Sequence, residues 1–108
     1  MKEDLWARFG RRFIDTARAR VARVEPLVAT GAHEGLAGVV HEMHSLAGEA
    51  SMLGVAPVAE LARRVEIAAK KWGTSQTNED AVVRAACASA LGRLGEALDK
   101  LTSPSMHP

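Results

Sequence analysis

Apolar residues recur at spacings of three and four along almost the whole chain, and no stretch alternates in the Val/Ile/Thr-rich manner of a strand. The pattern predicts an all-α protein. Trp6, Phe9, Phe13, Ala17, Val21, Val24 and Val28 form one stripe that runs to a stop at Thr30-Gly31. Pro26 lies inside it and removes an intrahelical donor, which predicts a kink or an early end near Glu25. A second helix is expected from His33 to Leu53, with Leu36, Val39, Val40, Met43, Leu46, Ala50 and Leu53 inward and Gly54 just past its end. A third starts at Val55-Ala56-Pro57, buries Val58, Leu61, Val65, Ala68, Ala69 and Trp72, and stops before Gly73. After the polar linker 73–77, Thr77 and Asp80 read as a capping box with Asp in place of Glu. They open a fourth helix with Val83, Cys87, Leu91, Leu94, Leu98 and Leu101 inward, ended by Pro104. Short connections favour antiparallel neighbours, hence an up-down-up-down four-helix bundle. Residues 1–108 are expected to form one domain with a frayed tail at 103–108, which includes His107.

Composition narrows the picture further. With 47% hydrophobic but only 4% aromatic residues and no Tyr, the core must be built from Leu, Val and Ala, which suits close helix packing. Fourteen basic and thirteen acidic residues give a net charge of +1, too balanced to make nucleic acid or an acidic membrane surface the default partner. The basic start (Lys2, Arg8, Arg11, Arg12, Arg18, Arg20, Arg23) is interspersed with Glu3, Asp4, Asp15 and Glu25, and reads as a solvated helix face. The single Cys87 cannot form an intramolecular disulfide and falls in an apolar register, as a core thiol would. Charges interrupt residues 2–12 and no apolar run approaches the roughly 18 residues of a membrane span, so a cytoplasmic protein is expected, and separately a monomer.

One face of the second helix is not explained by bundle packing. Ala37, His41, His44, Ala47, Gly48 and Ser51 follow one another at spacings of three and four and are expected to face outward. Surface helix positions usually carry Lys, Glu or Arg, and Gly48 costs a helix interior about 1 kcal/mol relative to Ala. A face this small suggests that something approaches the backbone beside His44.

His44-Ser45-Leu46-Ala47-Gly48, followed by Glu49-Ala50-Ser51-Met52-Leu53-Gly54, resembles the motif of histidine-containing phosphotransfer (HPt) domains, His-x-Leu-Lys-Gly and then small residues ending in Leu-Gly. The resemblance covers residues 33–72; the first and last helices match only as amphipathic bundle partners. It implies a four-helix bundle, a phosphorylatable His44, and as partners the receiver domains of response regulators or a histidine kinase. Gly48, Ala47, Ser51 and His41 would form the docking face. The chain departs from the motif at Ala47, where the family usually carries lysine.

An ordinary imidazole titrates near 6.5, so it is largely neutral at cytoplasmic pH and offers one nitrogen as nucleophile. The other nitrogen needs an acceptor. His44 lies ten residues before Gly54 and Glu66 twelve after it, so an antiparallel hairpin sets both about 15 to 18 Å from the turn. Glu66 is therefore a candidate to orient the ring and stabilise charge on it, and HPt domains often place Glu or Gln at this separation. The competing reading pairs Glu66 with Arg63 or Lys70 on its own helix. Lys70 is the first candidate to replace the missing lysine beside the phosphoryl group, with Arg63 and Lys71 behind it; otherwise it is a solvated lysine.

The resemblance implies a phosphocarrier rather than an enzyme, with no cofactor of its own: the receiver supplies the aspartyl phosphate and Mg²⁺. Two rivals remain. His41 and His44 share a face with Glu42 between them and His33 upstream, but His41-Glu42-Met43-His44 is one residue short of the zinc-protease spacing, so no metal site is expected. The stronger alternative is an HPt-like helical adaptor that binds a receiver or kinase without carrying phosphate.

Overall fold

The computed structural model describes residues 2–31, 33–75 and 78–102. Among these there is no strand. Helix α1 spans Lys2–Thr30, α2 Leu36–Met52, α3 Ala56–Thr74 and α4 Asp80–Thr102, with a single 3₁₀ turn at His33–Gly35 before α2. The expected second helix thus begins one turn late, and the third runs one residue past Gly73. Thr77, Pro104 and the tail 103–108 lie outside the described residues, so the capping box, the stop at Pro104 and the frayed end do too.

Of the two expected effects of Pro26, a kink or an early end near Glu25, the early end does not occur: α1 continues to Thr30. Val24 and Val28 on either side of it are both in the core, while Pro26 itself is exposed. A helix-interior proline costs about 3 kcal/mol. Burying two valines returns roughly 1.5 to 3 kcal/mol each, so packing wins. Gly31, at φ 71°, then closes the helix.

The turn between α2 and α3 is fixed by its backbone. Gly54 adopts φ 75°, its N–H donates to the Ser51 carbonyl at 3.1 Å, and Val55 N–H donates to the Ala50 carbonyl at 2.9 Å. This is a Schellman closure, which needs a left-handed residue and so favours glycine. With Pro57 in the first turn of α3, the chain reverses within three residues.

Side-chain pairs establish the direction of each helix. Arg23 meets Glu42 and Arg20 meets Glu49 between α1 and α2; Ser51 meets Arg63 and His44 meets Glu66 between α2 and α3. Between α1 and α4, Arg18 meets Asp99 and the Arg84 guanidinium donates to the Ala29 carbonyl. All these pairs are antiparallel, giving the up-down-up-down bundle. Its core holds Trp72, Met43, Leu46, Leu94 and Leu98 with essentially no exposure, together with Val24, Val39, Val58, Val65 and Cys87. Burial pushes the Cys87 thiol pKa up, consistent with an inert core residue. Phe9 departs from its expected place: it is 39% exposed, because Trp6 and Phe13 take the inward positions and pack edge to face at 6.3 Å.

At the end of the bundle opposite the Gly54 turn, Asp80 opens α4 and ties two connections together. It accepts from the Ser75 hydroxyl at 2.6 Å and lies 3.1 Å from Nε2 of His33, which stands edge-on to Trp72. The Ser75 hydroxyl first, and His33 after it, hold its carboxyl below the usual value against an opposing cost of burial. No described helix is long and apolar enough to cross a membrane.

Candidate functional site

Helix α2 carries His44 on the face it turns away from α1. Met43 and Leu46 anchor that helix in the core, so the intervening position must project outward. The His44 side chain is 77% exposed. Its Nδ1 lies 3.2 Å from Oε2 of Glu66, which projects from α3 into the groove between the two helices and is only about a tenth exposed. Lys70 Nζ reaches the same oxygen at 3.2 Å. Glu66 thus contacts both the histidine of α2 and Lys70, its i,i+4 neighbour on α3.

An ionised carboxylate only accepts, so a hydrogen bond from the ring to Glu66 uses a proton on Nδ1, and Nε2 is the ring nitrogen remote from Glu66. The Lys70 ammonium stands one oxygen away, the one positive charge that the described side chains bring onto Glu66. Arg63, the second candidate, instead donates to the Ser51 hydroxyl at 2.8 Å and bridges the two helices nearer the turn. Lys71 lies elsewhere, on the wall of a groove between α3 and α4.

Among the four residues expected to form the docking face, His41, Gly48 and Ser51 are exposed, and Ala47 is not. Ala47 is 3% exposed and belongs to the core, a correction to its expected outward position. The close α2–α3 packing that brings Glu66 under His44 also closes over the alanine one turn along. Gly48 behaves differently: a Cβ there would meet nothing within 4 Å. No contact among the described residues requires glycine at that position.

Opposite His44, α2 is clamped by a network that the sequence pattern did not reveal. Glu42 accepts from Arg20 at 2.7 Å and from Arg23 Nε and Nη2 at 3.0 Å each, while Glu49 accepts from Arg20 Nε and Nη2 at 3.2 Å. The Arg23 bond, followed by Arg20, lowers the Glu42 carboxyl to about 2 despite partial desolvation. Arg20 is raised in turn, foremost by Glu49. Arg18, Arg20 and Arg23 of the basic stretch are thus spent on ion pairs with α2 and α4. The network's one legible signal was that Arg20 and Arg23 share a helix face, as do Glu42 and Glu49.

Glu42 is held by arginines, His33 is paired with Asp80, and the described residues contain no group of three or more His, Cys, Asp or Glu side chains able to hold a metal ion. Comparison with curated proteins and with solved structures gave no significant match. A family model described as Hpt domain matches residues 9–103, spanning all four helices, and with that match and the four-helix architecture the chain belongs to the Hpt domain family.

Proposed function

We propose that this protein is a phosphorelay intermediate in which His44 accepts a phosphoryl group from a receiver aspartate or a kinase and passes it to a response-regulator receiver. Membership of the Hpt family supports a phosphotransfer role in two-component systems, carried by a phosphocarrier and not by a catalyst. The observation that carries the assignment to His44 is its geometry: a 77% exposed imidazole whose Nδ1 is 3.2 Å from a carboxylate oxygen of the nearly buried Glu66.

In the reaction, His44 Nε2 attacks the phosphorus of the receiver's aspartyl phosphate, the N–P bond forms, and the bond from phosphorus to the aspartate oxygen breaks, leaving a carboxylate on the receiver. The Nδ1 proton stays on the ring and the positive charge that develops there is stabilised by Glu66. Lys70 is close enough to turn from Glu66 toward the incoming phosphoryl oxygens, supplying the charge that Ala47 lacks. In-line geometry and Mg²⁺ come from the receiver, so this chain needs no cofactor of its own. His41, Gly48 and Ser51 form the docking face, where the missing Cβ of Gly48 lets a partner backbone approach α2. A cytoplasmic, monomeric carrier fits this reading.

The test is incubation with a receiver phosphorylated by acetyl phosphate, followed by assay for acid-labile, alkali-stable phosphate on this chain. Wild type should acquire it and His44→Gln should not. Label persisting on His44→Gln would refute the assignment, and a receiver that binds without labelling wild type would favour the adaptor reading instead.

A further inference from the structure

A second surface lies on the side of α3 away from Glu66. Between α3 and α4 runs a groove of about 500 Å³, whose more buried lining includes Leu61, Ala68 and Ala90. Ile67 on the α3 side is 53% exposed and Val82 on the α4 side 72%, both unusually open for β-branched aliphatic residues.

Its charges are all of one sign. Arg64, Lys71 and Arg93 line the groove from both walls, and no carboxylate does. Arg64 is paired with Glu60 at 2.7 Å, whereas Lys71 and Arg93 make no ion pair among the described residues. An apolar floor flanked by unpaired cations on opposite walls is the complement of a helix that carries apolar residues on one face and acidic residues on both shoulders.

We propose that the α3–α4 groove is a docking site for an acidic amphipathic helix. The dimensions suit it: Leu61 to Lys71 on α3 covers about 15 Å of helix axis, enough for roughly three turns of a partner lying alongside. Apolar side chains at spacings of three and four would then fall between Ile67 and Val82, with Asp or Glu reaching Lys71 and Arg93. A second copy of this chain is disfavoured, because two such faces would set the same cations against each other. A lipid surface is disfavoured as well, since a flat membrane cannot reach the floor of a concave cleft. Lys71 is about 140° around α3 from Glu66, so the site is separate from the His44 face and does not depend on its role.

The experiment is an NMR titration of the ¹⁵N-labelled full chain with a synthetic, end-capped helix of about sixteen residues, bearing leucines at spacings of three and four and glutamates on both shoulders. Saturable shifts should be confined to amides around Ile67, Lys71, Val82 and Arg93. Binding should weaken about tenfold or more for the Lys71→Glu, Arg93→Glu double variant and for the same peptide with Gln replacing Glu. Val82→Glu, exposed and therefore harmless to folding, provides a second variant that should also lose binding. No saturable shift, shifts outside the groove, or unchanged affinity in the charge-reversed variant would overturn the proposal. So would groove signals that respond only to protein concentration, indicating a dimer, or only to vesicles of phosphatidylglycerol.

Discussion

His44 and Lys70 share one oxygen: Oε2 of Glu66 lies 3.2 Å from Nδ1 of the first and 3.2 Å from Nζ of the second. A nearly buried carboxylate needs partners for its charge, and here it has two that are themselves largely exposed. The same oxygen therefore brings the imidazole and the Lys70 ammonium together at one point between α2 and α3.

Glu66 should matter for transfer more than for folding. Glu66→Ala removes the acceptor for Nδ1–H and should slow phosphoryl transfer roughly 10- to 100-fold, the scale seen when groups that orient a ligating histidine are removed. Glu66→Gln keeps an acceptor oxygen but not the charge and should fall between Ala and wild type. Rapid-quench transfer from a phosphorylated receiver gives the order, and wild-type rates for Glu66→Ala would remove the orienting role.

Lys70 is expected to act on the phosphorylated state. Lys70→Gln should reduce transfer severalfold, with Lys70→Arg retaining most of it, because charge near the phosphoryl oxygens is what the side chain supplies. Lys70 itself is largely exposed and His44 stays on the same nearly buried oxygen, so both variants should unfold within about 1 kcal/mol of wild type. Equal transfer by the Gln and Arg variants would return Lys70 to an ordinary surface lysine.

The residues read from sequence and those met only in three dimensions differ in a physical way. Helix extents follow from a 3.6-residue period, and the Glu66 register follows from counting outward from Gly54, since both depend on one element and one tight turn. The burial of Ala47 depends on how closely α2 and α3 approach, which a period cannot give. Phe9 was misplaced because a stripe with more apolar residues than one face can bury leaves one of them outside. The pairing of Arg20 and Arg23 with Glu42 and Glu49 required the rotation of α1 about its own axis, and Pro26 required weighing packing against a lost hydrogen bond.

Gly48 should give opposite signs for stability and for function. A Cβ there meets nothing, and the residue sits inside a helix, so Gly48→Ala should stabilise the protein by up to about 1 kcal/mol. Gly48→Gln should fold normally yet impair transfer from a receiver by obstructing docking. Thermal unfolding and the transfer assay on the same two variants decide it. Unchanged transfer by Gly48→Gln would remove the argument for a close-approach face.

The arginine clamp behind His44 predicts how stability responds to acid. Glu42 has its carboxyl lowered from an ordinary 4.5 to about 2, chiefly by the Arg23 hydrogen bond and then by Arg20. A carboxylate lowered on folding contributes stability that is fully present above its unfolded value and is lost as pH falls through its folded value. The window therefore runs from about 4.5 down to about 2. Arg23 is exposed and screened by solvent while Arg20 and Glu42 are each under a fifth exposed, so the contribution is of order 1 to 2 kcal/mol and smaller at high salt. Asp80 is lowered too and titrates in the same direction, so the useful quantity is the difference between wild type and Glu42→Gln at each pH. That difference should be constant near neutrality, shrink through the window and be smallest at its lower end. A difference that stays flat across it would mean that Arg20 and Arg23 hold α2 through packing of their stems and not through the Glu42 charge.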